Sequence, residues 1–171
     1  MERVFIAIGS NLGDRLVFLQ SAVHKLQRIP GLDLRSVSPV YETEPVGNKN
    51  QPHFLNAVVE FATTLTAEGL LTNLKEVERL VGRTPSERWG PREIDLDLIY
   101  ANGLVINTPQ LVVPHPELDR RKFVLVPLAD IAADFQDPLR KRTVRDLLRD
   151  CPDTSSLSKT SFTIKPNPAE R

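Results

Sequence analysis

The spacing of hydrophobic and polar positions changes repeatedly along the chain, and each change marks an element. A short continuous apolar run at residues 4–8 predicts a buried strand. The turn Gly9-Ser10-Asn11-Leu12-Gly13-Asp14 follows it, with Asp14 placed to cap a helix whose Leu16, Leu19, Val23, Leu26 and Ile29 recur at helical spacing. His24 falls off that stripe and reads as solvent-facing, and Pro30-Gly31 ends the helix. Residues 32–40 predict a second strand, with Pro39 marking an edge position. Residues 41–52 read as a long loop of the kind that often serves as a lid.

Strict alternation returns at residues 54–62, where Leu55, Ala57, Val59 and Phe61 share one face and Phe54, Asn56, Val58 and Glu60 the other. Thr66 caps a second helix with the stripe Leu70, Leu71, Leu74, Val77, Leu80 and Val81, Glu78 at its margin and Gly82 as its stop. A second long loop, residues 83–93, leads into residues 94–100. There Ile94, Leu96, Leu98 and Tyr100 are expected on one face and Asp95, Asp97 and Ile99 on the other. Ala101-Asn102-Gly103 is a hairpin signal, so residues 104–106 are expected to return beside that strand. Short helices are expected from Pro127 and over residues 144–148. The order β-α-β-β-α-β predicts an α+β, ferredoxin-like split βαβ fold. Helices cover one face of a largely antiparallel sheet, leaving the other face for a site under the loops. Residues 1–151 form one domain in this reading, and the polar, Ser/Thr/Pro-rich residues 152–171 a surface tail.

Composition narrows the function. The 171 residues carry 22 Lys plus Arg against 22 Asp plus Glu, which argues against a general nucleic-acid binder. The single cysteine, Cys151, excludes an internal disulfide and fits a reducing compartment. The N-terminal apolar run is too short for a signal peptide, and no run approaches the ~18 residues of a membrane span, so a cytoplasmic protein is expected.

The strongest chemical signal is the strand holding Asp95 and Asp97. Residues i and i+2 of a strand stand roughly 6.5 to 7 Å apart, within reach of one divalent cation or two. Aspartate is disfavoured in strands and like charges on one face repel, so the pair points to a metal site rather than to an ordinary half-exposed strand. Arg83, Arg88, Arg92 and Trp89 precede it, and cations beside paired carboxylates suit a metal-bound polyphosphate. The Gly9–Asp14 turn lacks the lysine of a Walker A loop and the glycine spacing of a dinucleotide fingerprint, and reads as a structural strand-to-helix turn placed where it could line a site. Asn56 with Phe54 beside it would read a flat heteroaromatic ring well. His115 is held between Pro114 and Pro116, each of which restricts its neighbour's backbone.

The stretch Arg88-Trp89-Gly90-Pro91-Arg92-Glu93-Ile94-Asp95-Leu96-Asp97-Leu98-Ile99 resembles the signature of the 6-hydroxymethyl-7,8-dihydropterin pyrophosphokinase family. The resemblance continues, in collinear order over roughly residues 3 to 150, through the segments at 6–13, 41–45, 54–57, 82–83, 113–116 and 121–123. It implies transfer of pyrophosphate from ATP to the hydroxymethyl group of the pterin, with release of AMP, in folate biosynthesis. By similarity, Asp95 and Asp97 would hold two Mg²⁺ ions, and Arg83, Arg92, His115 and Arg121 would bind phosphate oxygens. The pterin would lie between Phe54 and Phe123, read by Asn56, Thr43, Glu44 and Val46. Trp89 would close over the site, and Glu78, Leu98 and Pro116 would lie near the nucleotide. Its partners would be these small molecules, with no nucleic acid or membrane, and the chain would act as a monomer. Two departures stand out: Thr84-Pro85-Ser86 replaces basic residues in a loop one residue shorter than in many members, and Gln110 and Val112 lack polar groups that some place near adenine. Two other classes fit parts of the pattern: a nucleotidyltransferase using the Asp-x-Asp strand, although Ser10 lies far from Asp95, and a ligand-binding regulatory module, which leaves the aspartates unexplained.

Overall fold

The computed structural model describes residues 1–168. In chain order its elements are β1 (Glu2–Ser10), α1 (Arg15–Gln27), β2 (Leu32–Val37), β3 (Tyr41–Thr43), β4 (Phe54–Thr63), α2 (Ala67–Val81), β5 (Asp95–Ala101), β6 (Ile106–Asn107), β7 (Val112–Val113), a 3-10 turn (Leu118–Arg120), α3 (Lys122–Ala132), α4 (Val144–Arg149) and β8 (Leu157–Lys159). The main sheet is antiparallel and runs β5-β1-β4-β3-β8, with β2 also paired to β4. The sequence β1-α1-β2-β4-α2-β5 around this sheet is the expected split βαβ arrangement. No helix among the described residues is long and apolar enough to cross a membrane.

Alternation along the strands builds two cores. Val4, Ile6 and Ile8 of β1, Leu55 to Phe61 at every second position of β4, and Leu96 and Leu98 of β5 are buried under α1 and α2. Each of these Val, Ile, Leu and Phe side chains contributes about 1.5–3 kcal/mol through its removal from water. Thr66 and Asp14 cap the two helices as expected, their side chains accepting from Gly69 N and Val17 N. Leu80, expected in the buried stripe of α2, is 52% exposed because it lies on the far side of the helix from the sheet.

The other face of the sheet is not free. Phe5, Val58, Ile99 and Tyr100 are buried beneath α3 and α4, together with Val124, Leu125, Leu128, Val144 and Leu147. Tyr100 therefore belongs to the face opposite the one expected. The register between β1 and β5 slips between Phe5 and Ile6, so that Ile99 has no partner and Tyr100 turns over to join it. Its hydroxyl donates to Asp137, which is fully buried. Only the end of this face near Ala7, Gly9, Asn56, Asp95 and Asp97 stays open.

Three further expectations change. The Asn102-Gly103 turn forms, with Leu104 N donating to Ala101 O at 3.1 Å, but the returning chain does not pair with β5. It pairs as β6 with β7, and β5 finds its antiparallel partner in β1 instead. The free edge of β5 is taken by His115 N, which donates to Ile99 O at 3.1 Å. The first residues of the expected loop 41–52 form β3. The helix expected from Pro127 begins at Lys122 and carries Pro127 in its interior, where burial of Val124, Leu125 and Leu128 outweighs the missing backbone donor. The segment after Pro152 runs along the surface with specific attachments: β8 extends the sheet beside β3, Ile164 is buried in the α1–α2 core, and Lys165 N and Asn167 N donate to Gln20 and Gln27 of α1.

Candidate active site

Register places the chemistry. Gly9 of β1 lies opposite Asp95 of β5 on one side and Asn56 of β4 on the other. One row along, Ala7 lies between Asp97 and Val58. Two strand spacings separate Asp95 from Asn56, about 9.5 Å, and the residue between them has no side chain. A Cβ at Gly9 would stand 2.5 Å from Asn56 Oδ1 and 3.5 Å from Phe54 Cδ1, so the floor here must be bare backbone. Asn56 Nδ2 donates to Thr43 Oγ1 at 2.7 Å in a buried contact, which fixes the amide toward the open side.

A cleft of about 280 Å³ opens over this row. Of the residues singled out from the sequence, Thr43, Glu44, Val46, Phe54, Asn56, Trp89, Arg92, Asp95, Asp97, His115, Arg121 and Phe123 all line it. Arg88 lines it too, its guanidinium 5.2 Å above the Trp89 ring. Gly9, read from sequence as part of a structural turn, is in the floor. Its signal was available: a glycine at the end of a buried strand marks a close approach by a neighbour.

Arg83, Glu78, Leu98 and Pro116 are not in the lining. Arg83 Nη1 bonds Glu78 Oε2 at 2.6 Å and Asp95 Oδ1 at 3.3 Å, so it stands directly behind the cleft. Glu78 is 7% exposed and also accepts from Leu96 N at 2.9 Å, tying α2 to the start of β5. Burial pushes the Glu78 carboxyl above the ordinary range, opposed by that backbone donor and by Arg83. Leu98 alternates away from the aspartates into the α1–α2 core, so its side chain does not reach the cleft. Pro116 is exposed beside it.

The two aspartates differ. Asp95 Oδ1 is shared by Arg83 and Arg92, at 3.3 and 3.2 Å. Asp97 accepts no hydrogen bond from another described residue, and burial, with the charge of Asp95, raises its carboxyl well above the ordinary range. A half-buried carboxylate without a hydrogen bond, facing a second one, is a poor resting place for charge unless a cation joins it. Among the described residues no group of three His, Cys, Asp or Glu gathers to hold a metal, so further ligands would come from substrate and water.

His115 is oriented by its own loop. Burial, and then the charge of Arg121, lowers its pKa to about 4, so the ring is neutral at pH 7. Nδ1 accepts from Glu117 N at 3.1 Å, which leaves the proton on Nε2 as a donor. Arg140 bonds the carbonyls of His115 and Pro116 at 3.3 and 3.2 Å and is itself held by buried Asp137.

One residue that sequence reasoning passed over knots the cleft's covers together. Asn11, 1% exposed, donates from Nδ2 to Gln51 Oε1 at 2.9 Å and to Pro52 O at 3.0 Å. It accepts from Arg92 N at 2.8 Å. Gln51 donates in turn to Trp89 O at 2.8 Å. The two long loops also meet where Gly47, at φ 80°, passes Trp89, with a Cβ there only 3.2 Å from the indole.

Comparison with known proteins gives the chain its family. The family described as 7,8-dihydro-6-hydroxymethylpterin-pyrophosphokinase (HPPK) matches residues 5–133. A Bacillus subtilis protein named 2-amino-4-hydroxy-6-hydroxymethyldihydropteridine pyrophosphokinase is 46% identical over 132 residues, 77% of this chain and 79% of the relative. A Pseudomonas aeruginosa protein of the same name is 40% identical over 152 residues, 89% of this chain and 93% of the relative. The crystal structure of wild-type Plasmodium falciparum HPPK-DHPS with pteroate matches with a TM-score of 0.70 at 16% identity, covering 86% of this chain. This chain spans 42% of that longer one, and the likeness is one of fold.

Proposed function

Because this chain belongs to the 7,8-dihydro-6-hydroxymethylpterin-pyrophosphokinase family, we propose that it transfers the terminal pyrophosphate of ATP to 6-hydroxymethyl-7,8-dihydropterin in folate biosynthesis. The hydroxymethyl oxygen attacks the β-phosphorus, the bond from that phosphorus to the α-phosphate oxygen breaks, and AMP leaves. The observation that carries the reading is the row Asp95–Gly9–Asn56. It supports a flat ring lying over bare backbone, with an amide at one end and a carboxylate pair at the other. Phe54 and Phe123 both line the cleft and the ring is assigned between them, with Asn56, Thr43 and Glu44 offering polar atoms for its edge.

The donor set suits Mg²⁺: two carboxylates on one strand face, one of them free of hydrogen bonds, with the remaining positions left to water and phosphate oxygens. Asp95 and Asp97 would hold the two ions, which when bound neutralise the triphosphate and align it for in-line attack. The protein's own part is positioning and charge. Arg92 and Arg121, both lining the cleft, meet phosphate oxygens, and His115 donates from Nε2 without adding charge. Arg83, poised behind Asp95, exchanges its carboxylate contact for phosphate when the nucleotide enters. Asp95 lies in the ring's row and is the carboxylate we assign to the departing hydroxyl proton. Trp89 and Val46, both exposed, close over the cleft. We place the activity in the cytoplasm, on a monomer, with no nucleic-acid partner; the single cysteine supports the first and the balanced charge the last.

The test is to incubate the protein with ATP, Mg²⁺ and hydroxymethyldihydropterin and identify the nucleotide released. AMP with a diphosphorylated pterin is expected. Free pyrophosphate with an adenylylated pterin would overturn the reading in favour of nucleotidyl transfer.

A further inference from the structure

The cleft has two walls that no single element joins. One is the end of β3 running into Glu44; the other is the start of α3, with Arg121 and Phe123. Both are gripped by the same short piece of chain, beyond the residues matched by the family. Asp153 Oδ2 accepts from Lys122 N at 3.1 Å, supplying the first turn of α3 with a capping acceptor that Arg121, at the cap position, does not provide. Ser155 N donates to Asp153 Oδ1 at 2.9 Å and holds that carboxylate in place. One residue on, Ser156 N donates to the carboxylate of Glu44, while Ser156 O accepts from Glu44 N at 3.4 Å. β8 then continues the pairing, with Leu157 opposite Thr43.

From this we propose that residues 153–156 act as a clasp that sets the width of the pterin-facing end of the cleft, with Asp153 and Ser156 as positioning residues. The proposal rests on the functional reading above. Glu44 is a long, rotamer-rich side chain, and its contact to Lys49 is loose at 4.0 Å. The Ser156 amide is what fixes its direction. On the other wall, Phe123 sits in the first turn of α3, the part most prone to fray without a cap. The clasp therefore acts on two ring-facing groups at once and on none of the groups assigned to the metal ions.

The test uses the full chain carrying Ser156→Pro, which deletes the amide proton but keeps the carbonyl, and separately Asp153→Ala. The equilibrium dissociation constants for hydroxymethyldihydropterin and for ATP with Mg²⁺ are measured side by side with the thermal midpoint. The pterin constant is expected to rise about five- to tenfold in each variant, the worth of one oriented hydrogen bond. In Ser156→Pro the ATP constant and the turnover at saturating pterin should stay within about twofold of the parent, well under one such bond, while in Asp153→Ala, beside the phosphate-assigned Arg121, ATP should weaken less than the pterin. Hydrogen exchange should quicken at residues 43–46 and 122–125 only. If Ser156→Pro fails to fold, Asp153→Ala decides alone. Unchanged pterin affinity in a folded variant, or equal weakening of ATP, would overturn the clasp. Failure of the parent chain to bind the pterin at all would instead overturn the functional reading.

Discussion

Replacing Gly9 by alanine tests the floor of the cleft most directly. The added methyl would stand 2.5 Å from Asn56 Oδ1, so the amide must withdraw by close to an ångström before contact is ordinary. Neither neighbour offers an easy escape. Gly9 is backbone in the sheet between β5 and β4, and the amide is tethered to Thr43 Oγ1 at 2.7 Å within buried surroundings. Breaking that tether leaves a buried donor unsatisfied, a cost of about 1–3 kcal/mol, which for a domain this size lowers the thermal midpoint by roughly 2–10 °C. The effect on ligand is larger in proportion. An amide turned away from the ring forfeits about two hydrogen bonds, or roughly 2–3 kcal/mol, which is about thirty- to a hundredfold in pterin affinity. Asp95 and Asp97 are on the opposite side of β1 from Asn56 and are untouched by the methyl, so ATP binding should change by less than about twofold, under the worth of a single hydrogen bond. Fluorescence titration of each substrate, with circular dichroism to confirm the fold, separates the two. A folded Gly9→Ala protein with parental pterin affinity would refute the placement of the ring over β1.

Other outcomes follow from the same geometry. Asp97→Ala should fold yet lose turnover by about a thousandfold or more, the scale of removing a metal-clamping group, as read in a coupled AMP assay at saturating Mg²⁺. Because the Asp97 carboxyl is raised in the folded chain, the native state binds the extra proton and stability falls as pH rises through its titration. Asp97→Asn should therefore raise the metal-free thermal midpoint at pH 8 and leave it nearly unchanged at pH 4. His115 runs the other way. With its pKa lowered to about 4, the unfolded chain binds the proton first as pH falls below about 6.5. The parent should lose stability relative to His115→Gln between those values, by at most about 1.4 kcal/mol per pH unit and less with partial solvent access, in denaturant titrations across the window. Ser10 Oγ is buried and has no hydrogen-bond partner among the described residues, so Ser10→Ala should be neutral or stabilising by about 1 kcal/mol in the same assay; a destabilisation of more than that would reveal a partner.

Much of this site was legible because strands impose a period of two. Asp95 and Asp97 had to share a face once residues 94–100 were taken as a strand, and Asn56 had to oppose Leu55 and Ala57. Tyr100 was misassigned because a single-residue slip against Phe5 reverses every side chain beyond it, and nothing local announces a bulge. The Asn102-Gly103 turn was read correctly, but a turn specifies only its own four residues. What lay beside β5 was decided by β1 and by the His115 segment, both distant in the chain. The same holds for β8. Its residues look like tail because the partner that makes them a strand lies more than a hundred positions earlier, at Tyr41–Thr43. Asn11 shows the limit for side chains: a lone asparagine in a Gly-Ser-Asn turn carries no hint that residues 40 and 81 positions later will close on it.

That asparagine has a kinetic consequence. One amide ties Gln51 and Pro52 of one long loop and Arg92 of the other to the end of a central strand, so the two loops do not move independently. Together with the Gln51–Trp89 contact it makes the opening of the two loops one event. Loosening it, as in Asn11→Ala, would hasten the escape of both products together rather than of one alone.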